Sequence, residues 1–182
     1  MIELALHVLD IAQNSTRAGA RVVTITVEED TERDLLSLAI ADDGRGMDEA
    51  ELTRALDPFY TTKKVRRVGL GLPMLREAAE RTGGTLEIES SVGSGTRVVA
   101  TFGLSHVDRQ PLGDMALTMI SLIAGDPETD FVYTHRRDAQ EFRFDTRDVK
   151  RELEDVPIHH TQVLTLIRSD IVDRITELGK SA

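Results

Sequence analysis

LLSLAIADDGRGMD (residues 35–48) begins as an apolar run of strand length and ends in a turn with three aspartates and two glycines. The run predicts a strand over 35–41 that stops at DDGRGM (42–47). Gly44 and Gly46 let the backbone turn sharply and come close to a flat ligand. Asp42, at the strand end, can accept a hydrogen bond from an exocyclic amine. By itself D-D-G is also an ordinary turn. Asp48 suits the N-cap of a short helix running to Leu56.

Working outward, RVVTITVEE (21–29) alternates and is β-branched, which predicts a strand. Before it, residues 3–18 read as an amphipathic helix with Gly19 as its stop. This helix carries Asp10 and Asn14 one turn apart, either as a solvated polar stripe or as part of a site. On the other side, DPFYTTKKVRRVGLGL (57–72) is a basic, glycine-bearing loop. It holds Lys63, Lys64, Arg66 and Arg67, a solvated loop or a phosphate-facing one. PMLREAAERT (73–82) predicts a helix with Pro73 in its first turn. TLEIES (85–90) and TRVVATFGL (96–104) predict two strands joined by SVGSG. GLGL (69–72), just before a helix, offers amide N–H groups to an anion.

Beyond residue 104 the pattern changes. SHVDRQPLGD (105–114) reads as a linker, 115–124 as a buried helix, and DFVYTH (130–135) with EFRFDT (141–146) as a hairpin. Residues 147–155 and 161–178 read as helices separated by Pro157. Phe131, Tyr133, Phe142 and Phe144 alternate along the hairpin, as a small core or as a docking surface. They are four of the seven Phe and Tyr residues in the chain. The domains expected are 1–104 and an α+β extension over 105–182.

The whole chain has 182 residues, 40% apolar and 30% charged, with a net charge of −10 and no cysteine. That composition predicts a folded, soluble protein without disulfides or thiolate metal sites. The acidic balance argues against free nucleic acid as a partner. No apolar run reaches the ~20 residues of a membrane span, and the N-terminus lacks the basic start of a signal peptide. A cytoplasmic location is expected. The P-loop pattern and GxGxxG after a strand are both absent.

In order, the blocks are a helix with Asn14, a strand, DDGRGM, DPFYTTK, GLGL, a helix, a strand, VGSGT and a strand. This series resembles the GHKL ATPase superfamily over residues 4–104. That group includes histidine-kinase catalytic domains, anti-sigma kinases, mismatch-repair ATPases, type II topoisomerases and ninety-kilodalton chaperones. The resemblance implies an α+β fold: a two-layer sandwich of the Bergerat type, with a mostly antiparallel sheet and helices on one face.

It also implies ATP and Mg²⁺ as cofactors, with Asn14 as the Mg²⁺ ligand. Asp42 becomes the adenine-reading aspartate, helped by Thr96. The other nucleotide-binding positions implied are Arg17, Gly44, Gly46, Met47, Thr62, Lys63, Gly69, Gly71 and Leu72. Arg17 stands where histidine kinases often carry lysine. Asp10 stands where the ATPase branches place the glutamate that acts as general base, so it is the candidate catalytic residue, one methylene shorter.

The short lid leans towards the kinase and anti-sigma branches. The expected activity is protein phosphorylation in trans. The alternatives are a nucleotide-gated binding module and a slow ATPase, and a homodimer fits any of the three. With the first helix so near residue 1, the phosphoacceptor is expected in another protein or downstream. SHVDRQPL (105–112) matches the H-box S-H-E-L-R-T-P-L at five of eight positions, which makes His106 a candidate phosphoacceptor. Val107 replaces the acidic residue that should follow it. The competing reading is a linker histidine.

Overall fold

The computed structural model describes residues 3–56 and 71–180. The loop containing DPFYTTK, Thr62, Lys63, Lys64, Arg66, Arg67 and Gly69 lies outside the described residues.

Helix α1 (Leu4–Arg17) buries Leu4, Ala5, His7, Val8, Ile11, Ala12 and Ser15. These positions recur at three- and four-residue intervals, which is one face of a helix. Glu3 provides no side-chain cap. The free amides of Leu4 and Ala5 instead donate to the carbonyls of Pro111 and Leu112, at 3.0 and 2.8 Å. The expected linker is therefore the N-terminal cap of α1.

Strands β1 (Val22–Asp30) and β2 (Leu35–Asp42) bury alternate residues. The short helix α2 (Glu49–Ala55) starts on a capping box, in which Asp48 accepts from the Glu51 amide and Glu51 returns the bond. Helix α3 (Gly71–Glu80) includes Pro73. Strands β3 (Leu86–Ser91) and β4 (Gly95–Gly103) follow. The extension supplies α4 (Met115–Gly125), β5 (Asp130–Arg137), β6 (Gln140–Asp145), α5 (Thr146–Glu152) and α6 (Thr161–Lys180).

Among the described residues, six strands form one sheet in the order β3-β4-β2-β1-β5-β6. Every pairing is antiparallel except β1 with β5. Ile88, Val98, Ile40, Ile25, Tyr133 and Phe144 stand in one row, one from each strand. Because side chains alternate between faces, this row and its neighbours two residues away lie on one face, apolar along the row and ending in Ser90, Thr96 and Asp42 at one side. Helices α3, α1, α4 and α6 pack side by side in that order, and their buried residues join the same core as the strands'. The fold is thus α+β in two layers. Phe131, Tyr133, Phe142 and Phe144 are all less than 9% exposed, so the hairpin aromatics are core.

One carboxylate ties the extension to β1, and another braces the extension itself. His135 Nε2 lies 2.8 Å from Glu29 Oε1 on β1, and His135 Nδ1 lies 2.9 Å from the Tyr133 hydroxyl. The His135 contact, helped by Arg137 and opposed by burial, holds the Glu29 carboxyl below the usual range. At the end of β6, Asp145 accepts from Arg147 and Arg143 and is held at about 2.

A carboxyl with a lowered folded pKa stabilises above its unfolded value and loses that contribution as pH falls. The melting temperature is expected to drop by several degrees between about pH 5 and pH 3. Glu29→Gln and Asp145→Asn should start lower and flatten that limb. Melting curves across this range check it, and a limb unchanged in both variants refutes the assignment.

Candidate nucleotide site

The end of β2 is fixed by its own turn. Asp42 Oδ1 accepts the Gly44 amide at 2.9 Å and the Thr96 amide at 3.2 Å, and Oδ2 accepts the Ser15 hydroxyl at 2.5 Å. Three donors from α1, the turn and β4 therefore orient one carboxylate. The second aspartate is used differently. Asp43 Oδ1 accepts the amides of Arg21 and Val22 at the start of β1. Those bonds, the Val22 one foremost, lower its pKa.

Glycine is required twice here. Gly46 has φ +66°, and a Cβ on it would lie 1.9 Å from the Ser91 carbonyl oxygen. Gly95 has φ +83°, and its Cβ would lie 1.9 Å from the Asp42 carbonyl oxygen. The DDGRGM turn and the β3–β4 turn meet backbone to backbone, which places Thr96 opposite Asp42. Ser90 Oγ joins them, 2.9 Å from Thr96 Oγ1 and 2.8 Å from the Met47 amide.

A cavity of about 350 Å³ opens beside this group. Ile11, Ala18, Ile40, Met47, Leu72 and Val98 give it apolar walls. Its volume and its few convergent polar groups suit a small flat ligand. Asp10, Asn14, Arg17 and Gly71 line it as well. Asp10 is pressed against the start of α3, where a Cβ on Gly71 would meet Asp10 Oδ2 at 2.1 Å. The exposed Asn14 offers Oδ1, which accepts from Arg17 at 3.1 Å. That oxygen already faces a cationic group.

Of the residues named from sequence, the structure gathers Asp10, Asn14, Arg17, Asp42, Gly46, Met47, Gly71, Leu72 and Thr96 around one cavity. Gly44 supports Asp42 from the turn. His106 is not among them. It is exposed, in the turn after β4, at the opposite end of that strand from Thr96. At ~3.3 Å per strand residue the two ends are roughly 25–30 Å apart. Its Nδ1 accepts the Asp108 amide at 3.1 Å.

Ser15, Ser90 and Gly95 were not among the residues named from sequence. Ser15 directly follows Asn14, yet nothing local pairs it with residue 42. Ser90 and Gly95 become visible only once β3 and β4 are set in register.

A family profile described as "Histidine kinase-, DNA gyrase B-, and HSP90-like ATPase" matches residues 2–106, more than half of the chain. The chain belongs to this family. It carries an ATP-binding, histidine-kinase-like domain. Similar proteins include sensor histidine kinase ZraS of Salmonella typhi, 32% identical over 103 residues, which are 56% of this chain and 22% of that protein. Another is sensor histidine kinase WalK of Bacillus subtilis, 30% identical over 93 residues, 48% of this chain and 15% of that one. The chain therefore spans less than a quarter of either relative.

Among solved structures, the N-terminal domain of a DNA repair protein shares the fold of this ATPase-family member. Its TM-score is 0.54 at 14% identity, over 79% of this chain and 52% of that one. No helix among the described residues is long and apolar enough to cross a membrane.

Proposed function

We propose that the chain binds Mg-ATP and transfers the γ-phosphoryl group to a side chain of another protein. The observation that carries this reading is Asp42, held by three donors in the wall of a cavity with apolar sides that Asn14, Asp10 and Gly71 also line. Adenine offers an amine donor to Asp42 and flat faces to the apolar walls.

The donor chemistry suits Mg²⁺, which keeps several waters and takes one or two protein oxygens plus phosphates. Asn14 Oδ1 would be that oxygen, turning from Arg17 to the metal, and Arg17 would be released towards the phosphates. When bound, Mg²⁺ neutralises charge developing on the phosphoryl oxygens. Thr62, Lys63 and Gly69 are proposed as further phosphate contacts. Asp10 is proposed as the base that takes the proton of the attacking group. The likeness to sensor histidine kinases supports a protein acceptor, and a homodimer remains part of this reading.

His106 is assigned to its turn. In a neutral ring, accepting the Asp108 amide on Nδ1 puts the proton on Nε2, leaving no free lone pair to attack phosphorus. The distance to Thr96 supports the same assignment. The test is incubation with Mg²⁺ and γ-labelled ATP, following label into this chain, into candidate protein acceptors and into free phosphate. Label is expected on a second protein, and His106→Gln is expected to behave as the parent. Acid-labile label on this chain that vanishes in His106→Gln would overturn both assignments. ATP binding with no transfer to any protein would favour the nucleotide-gated switch, and steady phosphate release without an acceptor the slow ATPase. The switch reading draws on one observation of its own: the extension shares sheet and core with the ATP-binding part.

A further inference from the structure

Ser90, Thr96 and Asp42 stand side by side in one row across β3, β4 and β2. The next row on the same face is Ile88, Val98 and Ile40. Thr96 and Asp42 line the cavity. Ser90 stands one strand further out and is not among the residues that line it. Its hydroxyl has three neighbours. The Met47 amide donates to it at 2.8 Å, the Gly95 carbonyl oxygen lies 3.0 Å away, and Thr96 Oγ1 lies 2.9 Å away.

A hydroxyl holds one proton and two lone pairs. The amide only donates and the carbonyl only accepts, which leaves two arrangements. In the first, Ser90 gives its proton to Gly95 and takes the Thr96 proton on its second lone pair. Thr96 then shows the cavity lone pairs alone. In the second, Ser90 gives its proton to Thr96, and the Thr96 proton is released to point into the cavity. The Met47 amide holds its lone pair on Ser90 in both.

We infer that Ser90 is a positioning residue for base recognition: it hands its proton to Thr96 and so makes the Thr96 hydroxyl a donor for the purine ring nitrogen beside the exocyclic amine. The inference rests on the nucleotide reading of the cavity and extends it to a residue outside the cavity wall. Asp42, with donors on both oxygens, stands as an acceptor. With the second arrangement beside it, the row presents an acceptor and a donor, the complement of adenine's amine and N1. Hypoxanthine offers a carbonyl and an N–H at those places and mismatches both. The relay runs from the Met47 N–H through the Ser90 and Thr96 hydroxyls, and each link polarises the next. A base with an acceptor nitrogen selects this arrangement over the first. Without Ser90, the Thr96 hydroxyl loses the partner that fixes its rotation.

The test compares ATP with 1-deaza-ATP, which keeps the amine and carries C–H in place of N1. Affinities for both, with Mg²⁺, are measured by calorimetry on the full chain, with melting temperature as the control for folding. The parent is expected to prefer ATP by roughly tenfold, and Ser90→Ala to bring the two ligands within about twofold by losing ATP affinity alone. Ser90→Thr, which keeps the hydroxyl, is expected to restore the parent's preference. Where Ser90→Ala melts too low to titrate, Ser90→Cys, of similar size and a much weaker donor, is read in the same way. Equal weakening of both ligands would mean that the serine only braces the turn through Met47, and overturns the inference. A preference for ATP that persists in the variant, or is absent from the parent, also overturns it. A parent chain that binds neither ligand would overturn the nucleotide reading itself, which is distinguishable from all of these.

Discussion

Asp42→Asn is expected to lower ATP affinity by roughly 30- to 100-fold, about 2–3 kcal/mol, while the protein stays folded. The asparagine carbonyl can take the Oδ1 position and keep the amides of Gly44 and Thr96, now 2.9 and 3.2 Å from Asp42. Its NH₂ then replaces Oδ2 beside Ser15, whose hydroxyl can rotate to accept. Folding contacts survive this exchange, and recognition does not. The adenine amine would meet a donor instead of a charged acceptor, and charge-assisted bonds are the stronger class. Guanine presents a carbonyl at the corresponding position, so discrimination between ATP and GTP should collapse. Calorimetric titration with both nucleotides measures this. An unchanged ratio would remove Asp42 from base recognition.

Asn14→Ala should have an effect of similar or larger size through a different contact. The side chain is exposed and its described bond runs to Arg17, so alanine on this helix costs little stability. What disappears is the protein oxygen assigned to Mg²⁺. ATP affinity in the presence of Mg²⁺ is expected to fall about 100-fold, in the range for loss of a metal-supporting group. Chelator should weaken ATP binding by the parent and change the variant little. The comparison is a titration with and without chelator for both proteins. A variant that keeps the parent's Mg²⁺ dependence would refute the ligand assignment.

Particular residues show how far sequence carries. The α1 stripe, the alternation in β1 and β2, Asp48 as a cap and the turn at 42–47 are local features, and all stand where the pattern put them. Asp42 was legible as an acceptor at a strand end because strand and turn are adjacent in sequence. Of its donors, Gly44 is local, Thr96 followed only from the family resemblance, and Ser15 from neither. Ser15 and Thr96 reach it from 27 and 54 residues away. His7 is one more residue of the α1 stripe by its spacing, and its full burial against Gln110 comes from the tertiary structure. SHVDRQPL resembled a phosphorylation motif through residue identity, whereas its backbone forms a turn that uses the histidine as an acceptor.

What the sequence determined by itself is whatever depends on period and turn chemistry within about a dozen residues: element types, the apolar face of each, and the glycine-aspartate turn with its helix. These follow from backbone sterics and side-chain direction, which act locally. Only the tertiary structure decided which strand edge each element joins. The hairpin at 130–145 has a buried face in any arrangement, yet it pairs with β1, in parallel, across more than 100 residues. A strand's pattern states that one face must be covered and its backbone groups paired, and leaves the partner open. Closing that choice put the extension into the same core as the ATP-binding part, and put the segment before α4 onto the end of α1 and against His7.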